Sequence, residues 1–200
     1  MLRKASESLF RKMDKKALRK EGLFCRNSLE NRALLDRKIF EKLIELEEFN
    51  SASLILTYVS FSSEVNTLSI IDYCLSIGKR VAVPRCTDTK GNMDFYLIDS
   101  RSSLTEGMFG VFEPDTEKCE ILTDFSDSLM LVPGIYFTKK GHRLGYGKGY
   151  YDRFIKNYSF ISVGLCYNRL IINELPTDTY DEKVDIIVTD KEIIRTDTEE

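Results

Sequence analysis

Apolar positions along the chain fall into alternating stretches of helical and strand period. Residues 5–26 put Leu9, Met13, Ala17 and Phe24 roughly on one face, with lysine and arginine elsewhere, which is the pattern of a basic amphipathic helix. The same period returns over 31–49 through Leu35, Ile39, Leu43 and Leu46, with Asn31 placed to cap the start. Leu54-Ile-Leu-Thr-Tyr-Val59 is instead a continuous apolar run, rich in β-branched and aromatic residues, and suits a central strand covered on both faces. Ser62 and Ser63 are placed to cap a helix from about Glu64 through Leu68, Ile71 and Leu75, which Gly78 would end before a strand Arg80-Val-Ala-Val83. That order is a βαβ unit.

Lys90-Gly91-Asn92 predicts a turn into a strand over Met93–Ile98, while residues 100–120, around Gly107, Gly110 and Pro114, read as irregular. Leu129–Val132, Ile161–Leu165 and Asp185–Val188 are further short apolar runs. Their alternation with helical material predicts an α/β fold, a three-layer sandwich with a central, mostly parallel sheet flanked by helices. No internal repeat or low-complexity linker divides the 200 residues, so one domain over 1–200 is expected.

Composition then narrows the chemistry. A formal net charge of -3 gives no global attraction to nucleic acid or to an anionic membrane. With His142 as the one histidine, a two-histidine metal site is excluded, and Ser-His-Asp or Cys-His catalysis would have to run through that single residue. Cys25, Cys74, Cys86, Cys119 and Cys166 are widely spaced and include no Cys-x-x-Cys pair, so reduced thiols are expected. The chain has no apolar run of about eighteen residues and no apolar centre to an amino-terminal secretory signal, which predicts a cytoplasmic protein. Residues 1–13, basic and poor in acids, have the make-up of either a mitochondrial presequence or an ordinary first helix.

The densest chemistry lies near residue 147. Gly145, Gly147 and Gly149 alternate with Tyr146 and Lys148 just before Tyr150-Tyr-Asp-Arg-Phe-Ile155, a segment able to begin a helix. Glycines let successive backbone N–H groups converge on an anion, and a helix start adds the positive end of its dipole. A Walker A loop would need glycine at 142 and serine or threonine at 149, where this chain has His142 and Gly149. A dinucleotide fingerprint would need its third glycine one residue later and a strand directly before it. Taken alone, Gly-x-Gly-x-Gly is a flexible turn. Here Arg143 and Lys148 flank it with cations, and Asp152 stands where a helix's first turn presents a carboxylate to Mg2+, so the loop reads as an anion site.

From Val132-Pro-Gly-Ile-Tyr-Phe137 through Gly141 and Arg143-Leu-Gly-Tyr-Gly-Lys-Gly-Tyr-Tyr-Asp152, the order and spacing resemble the signature of the 5-formyltetrahydrofolate cyclo-ligases, also called methenyltetrahydrofolate synthetases. Echoes run along the chain. Lys15-Lys-Ala-Leu-Arg19 resembles the family's amino-terminal Lys-x-x-x-Arg pair. Tyr58-Val-Ser followed by Glu64-Val-Asn-Thr67 resembles its folate-contacting segment, and Val83-Pro-Arg85 and Met93-Asp-Phe95 also align. Near the end stand Glu174-Leu-Pro176 and Tyr180-Asp-Glu-Lys-Val-Asp185. The chain departs from the pattern at Tyr180, Asn168 and Thr138, where histidine, glutamine and aspartate are usual.

The resemblance implies an α/β fold and ATP-dependent conversion of 5-formyltetrahydrofolate to 5,10-methenyltetrahydrofolate, with Mg2+ as cofactor and ADP and phosphate released. It implies an ATP site of Lys15, Arg19, Arg143, Leu144, Gly145, Tyr146, Gly147, Lys148, Gly149, Tyr150 and Tyr151, in which Arg143 and Lys148 act on the transferring phosphoryl group. Val59, Glu64, Met93, Tyr150 and Tyr151 would line the folate, and Asp152 would hold Mg2+. The expected partners are 5-formyltetrahydrofolate and ATP, with no nucleic acid and no membrane, and the chain is expected to be a monomer.

The residues support these roles unequally. Lys15 and Arg19, four apart, share a helix face. Glu64 follows a buried strand at the kind of junction where α/β proteins bind ligands. One of Tyr150 and Tyr151 is expected beneath the loop and the other against a flat ring. Val59 and Met93 read more readily as core residues and are assigned by motif position alone. The competing reading is a non-catalytic nucleotide- or RNA-binding protein using the basic amino-terminal helix. Residues 1–20 hold eight Lys or Arg against two Asp or Glu, although Phe10 is their sole aromatic.

Overall fold

The structure, a computed structural model, describes residues 14–107 and 110–196. The start of the first expected helix, with Leu9 and Met13, lies outside the described residues. Helix α1 spans Lys15–Asn27, begun by Asp14, whose carboxylate accepts from the Lys16 N–H at 3.3 Å. Its inward face is not the apolar one. Leu18, Gly22 and Arg26 are buried, whereas Ala17 is exposed and Phe24 stands 76% exposed. Gly22 permits the close approach, because a Cβ there would lie 2.5 Å from Ile135 Cγ2. The helix therefore docks by the stripe that also carries Lys15 and Arg19, and polar contacts with the loops below it override its apolar pattern.

The second expected helix divides into α2, Arg32–Ile44, and the short α3, Glu47–Ser51. Asn31 begins α2 in the left-handed conformation, φ 54°, without the expected side-chain cap bond. Three buried residues form β1, Leu54–Leu56, followed by α4, Leu68–Ser76, and β2, Arg80–Cys86. Helix α4 starts later than its pattern predicts. Ser62 takes φ 57°, Ser63 is buried under Arg26, and the Leu68 N–H is taken by Asn66 Oδ1 at 3.0 Å. Residues 57–67 are thus a loop, free to build a site.

Strand β3, Met93–Ile98, matches its prediction. The region expected to be irregular contains a hairpin, β4 at Leu104–Glu106 paired with β5 at Phe112–Pro114. Then come β6, Ser128–Val132; β7, Tyr136–Thr138; β8, Arg143–Leu144; helix α5, Tyr150–Asn157; β9, Ile161–Cys166; β10, Ile171–Ile172; β11, Ile186–Thr189; and β12, Ile193–Arg195. The main sheet runs β12-β11-β9-β6-β1-β2-β3. Its inner pairs are parallel, and β12 and β3 add antiparallel edges. Helices flank this mostly parallel sheet, and β1, β6 and β11 are buried along their whole length, as covered parallel strands are.

From β1 the chain moves outward through β2 and β3 and then returns to β6 on the other side. The order reverses between β1 and β6, so the loops after their carboxyl ends part there and leave a crevice. A second sheet, β10-β7-β8, carries the glycine loop directly after β8, a strand that the sequence pattern does not reveal. All five cysteines are unpaired, and among the described residues no helix is long and apolar enough to cross a membrane.

Candidate active site

The glycine loop leaves β8 at the buried Leu144 and enters α5 at Gly149. Gly147 and Gly149 take φ 95° and 72°, the left-handed region that a side chain would strain. Helix α1 holds the loop from outside. Arg19 Nε donates to the Gly145 carbonyl at 2.9 Å, and a Cβ at Gly147 would fall 2.9 Å from Arg19 Cζ. One turn earlier, Lys15 Nζ meets Asp178 Oδ2 and Asp181 Oδ2, each at 2.6 Å. Burial pulls its ammonium down, but the two carboxylates outweigh this and hold it above the ordinary lysine value. The loop between β10 and β11 therefore joins the site, a contribution that the motif match alone left without a role.

Behind the loop, the Arg143 side chain is 4% exposed and donates from Nη2 to Asp152 Oδ1 at 2.8 Å. The same oxygen accepts the Glu182 N–H at 3.2 Å. Arg143 Nε is buried without a hydrogen-bond partner, and Cζ lies 5.7 Å from the centre of the Tyr151 ring. Burial pulls this guanidinium down while Asp152 pulls it back up, and an arginine starts far enough above neutrality to stay a cation. Lys148 is exposed on the loop, and its carbonyl accepts from Arg153 Nη1 at 2.9 Å. The tyrosines divide. Tyr151 packs on Arg143, whereas Tyr150 donates to the Asp88 carbonyl at 2.6 Å and ties α5 to the turn before β3.

Glu64 comes to the loop from the crevice side. Its Oε1 accepts the Tyr146 hydroxyl at 2.9 Å and its Oε2 accepts the Phe61 N–H at 2.9 Å. Burial lifts this carboxyl above the usual range, against those two hydrogen bonds. The Tyr146 phenol is pushed up to about 12 by burial and by the Glu64 charge. Sequence reasoning missed the residue at the centre, Arg26, which is 2% exposed and donates to Ser63, Gly134 and Tyr146. Its signal was its position on the same helix stripe as Lys15 and Arg19. Glu64 lines both an open cleft of about 610 Å³ between α2 and the loop after β1 and a cavity of about 10 Å³ beside Arg26 and Gly134. The cleft has the capacity of a small-molecule site.

Lys15, Arg19, the loop from Gly145 to Gly149, Arg143, Asp152, Tyr151 and Glu64 are thus assembled in one region. Val59 and Met93 are 6% and 7% exposed and sit in the hydrophobic core. Among the described residues no group of three or more His, Cys, Asp or Glu could cage a metal. Mg2+ does not require one, since it commonly takes one or two carboxylates plus phosphate and water oxygens.

A sequence profile of the 5-formyltetrahydrofolate cyclo-ligase family matches residues 11–190. The 5-formyltetrahydrofolate cyclo-ligase of Haemophilus influenzae is 31% identical over 158 residues, 76% of this chain and 84% of that protein. The solution structure of Aquifex aeolicus 5,10-methenyltetrahydrofolate synthetase superposes with a TM-score of 0.82 at 31% identity, covering 94% of this chain and 95% of the other. A 5,10-methenyltetrahydrofolate synthetase from Mycoplasma pneumoniae superposes with a TM-score of 0.67 at 25% identity, covering 90% of this chain and all of the other. With the profile spanning nearly the whole length and the fold shared end to end, this chain belongs to the 5-formyltetrahydrofolate cyclo-ligase family.

Proposed function

We propose that the protein converts 5-formyltetrahydrofolate and ATP to 5,10-methenyltetrahydrofolate, ADP and phosphate. The observation that carries the reading is the hydrogen bond from Tyr146 of the glycine loop to the Glu64 carboxylate at 2.9 Å. It supports the reading by joining a glycine loop whose backbone suits a phosphate to an acid that suits the N–H groups of a pterin. In the reaction the formyl oxygen attacks the γ-phosphorus and ADP leaves. N10 then attacks the activated formyl carbon, the phosphate departs with the former formyl oxygen, and the N10 proton passes to solvent. No protein nucleophile is needed, which agrees with a chain holding one histidine.

The protein positions two ligands and neutralises charge. Lys148 stands free of the fold to meet the transferring phosphoryl group, and Arg143 supplies a fixed positive charge behind the loop. Lys15 and Arg19 approach the nucleotide from α1. Asp152 is the residue we assign to Mg2+, which when bound would draw charge from the phosphates. The RNA-binding alternative loses support because Lys15 and Arg19 of the basic stretch are committed inward, to Asp178 and Asp181 and to Gly145. Purified protein mixed with MgATP and 5-formyltetrahydrofolate should generate the absorbance of the methenyl product. Its absence, with both ligands bound, would leave a silent nucleotide sensor, and equal turnover without nucleotide would refute the phosphorylation step.

A further inference from the structure

One hydroxyl joins the glycine loop to Glu64. Tyr146 donates to Glu64 Oε1 at 2.9 Å and accepts from Arg26 Nη2 at 2.5 Å. The remaining N–H groups of Arg26 reach Ser63 Oγ at 3.1 Å and the Gly134 carbonyl at 3.2 Å. This buried guanidinium therefore binds three segments that are remote in sequence: the glycine loop, the loop after β1 and the turn after β6. Its charge meets that of Glu64 through the tyrosine.

We infer that Arg26 and Tyr146 are positioning residues that couple the two halves of the site, so that nucleotide and folate each bind more tightly when the other is present. The inference rests on the proposed function, because it takes the loop as the phosphate side and Glu64 as the pterin side. Tyr146 stands between Gly145 and Gly147, and its side chain is 49% exposed. The flanking glycines widen the torsions open to the loop backbone, which Arg19 and Arg153 hold by single hydrogen bonds to its carbonyls, and the ring is half exposed. A phosphate captured by the loop amides fixes the loop and hence the hydroxyl. The Glu64 carboxylate is then oriented by two donors, Tyr146 from one side and the Phe61 N–H from the other. Whichever ligand arrives first bears the cost of ordering, and the effect is reciprocal by linkage.

The test titrates the full-length protein with 5-formyltetrahydrofolate in a calorimeter, with and without saturating Mg2+–adenylyl imidodiphosphate, which does not transfer its terminal phosphoryl group. The ratio of the two Kd values is the coupling factor, in which a uniform loss of folate affinity cancels. Wild type should give a factor between about 5 and 150. Tyr146→Phe keeps the ring and its contact with Arg26 but removes the hydroxyl, and should bring the factor to within about twofold of one. Arg26→Lys should lower it partway; a purely structural arginine would instead lower the melting temperature and leave the factor unchanged. A wild-type factor near one, or a Tyr146→Phe factor equal to wild type, overturns the inference and leaves the proposed reaction of the wild-type protein standing. A wild-type protein that neither binds the 5-formyl compound nor forms the methenyl product overturns the proposed function, and this inference falls with it.

Discussion

Asp152 and Arg143 form an ion pair at 2.8 Å whose arginine side chain is 4% exposed. Asp152 consequently has two duties, one to the proposed Mg2+ and one to a buried cation. Asp152→Ala leaves that cation unpaired and should cost about 3–5 kcal/mol of folding stability. Asp152→Asn keeps an acceptor for Arg143 and should cost less, while shifting the Mg2+ concentration needed for half-maximal rate upward. Denaturant unfolding alongside a Mg2+ titration separates the two effects. An unchanged Mg2+ dependence in the asparagine variant would confine Asp152 to the ion pair.

Lys148 gives the contrasting case, since its exposed side chain contributes little to the fold. Lys148→Ala should lower kcat/KM by the equivalent of about 2–4 kcal/mol of transition-state stabilisation while the unfolding midpoint stays at the wild-type value. Steady-state kinetics with near-normal activity would remove Lys148 from the phosphoryl path.

In the nucleotide role proposed for Lys15, its ion pair with Asp178 at 2.6 Å would compete with the phosphates. The Asp178 side chain is 71% exposed, and such an ion pair is worth about 0.2–1 kcal/mol. Asp178→Asn should therefore lower the KM for ATP by roughly 1.4- to 5-fold. A higher KM would mean that Asp178 itself contacts the nucleotide.

Glu64 carries a pH signature. A carboxyl raised in the folded state favours folding while protonated, and that contribution is lost as pH climbs from the usual carboxylate range through the raised value. At neutral pH its buried charge is a cost, so Glu64→Gln should melt at a higher temperature than wild type at pH 7, with the gap closing on acidification. The same variant should raise the KM for the 5-formyl compound by about tenfold or more, and by more than it raises the KM for ATP. A larger effect on ATP would mean that the two sides are assigned backwards.

Much of this arrangement was legible in the sequence. The buried strand at Leu54, the turn at Gly91 and the glycine loop were readable because apolar runs and glycine spacing are local signals. The docking face of α1 was not, because Gly22 and Arg26 are held by contacts with Ile135, Gly134 and Tyr146 that no helical period encodes. The late start of α4 was missed for a related reason: Ser63 is recruited by Arg26 instead of capping. Short strands such as β8 and β10, two residues each, are too brief to carry a period.

The bridge from Lys15 to Asp181 spans 166 positions, and this has a consequence for synthesis. A chain made from its amino terminus exposes the cationic stripe of α1 long before the acids that will face it exist. At about 5–20 residues per second the wait is roughly 8 to 33 seconds. Closure of this bridge should therefore trail the formation of α1 during synthesis, and products cut short of Asp178 should leave Lys15 without its carboxylate partners.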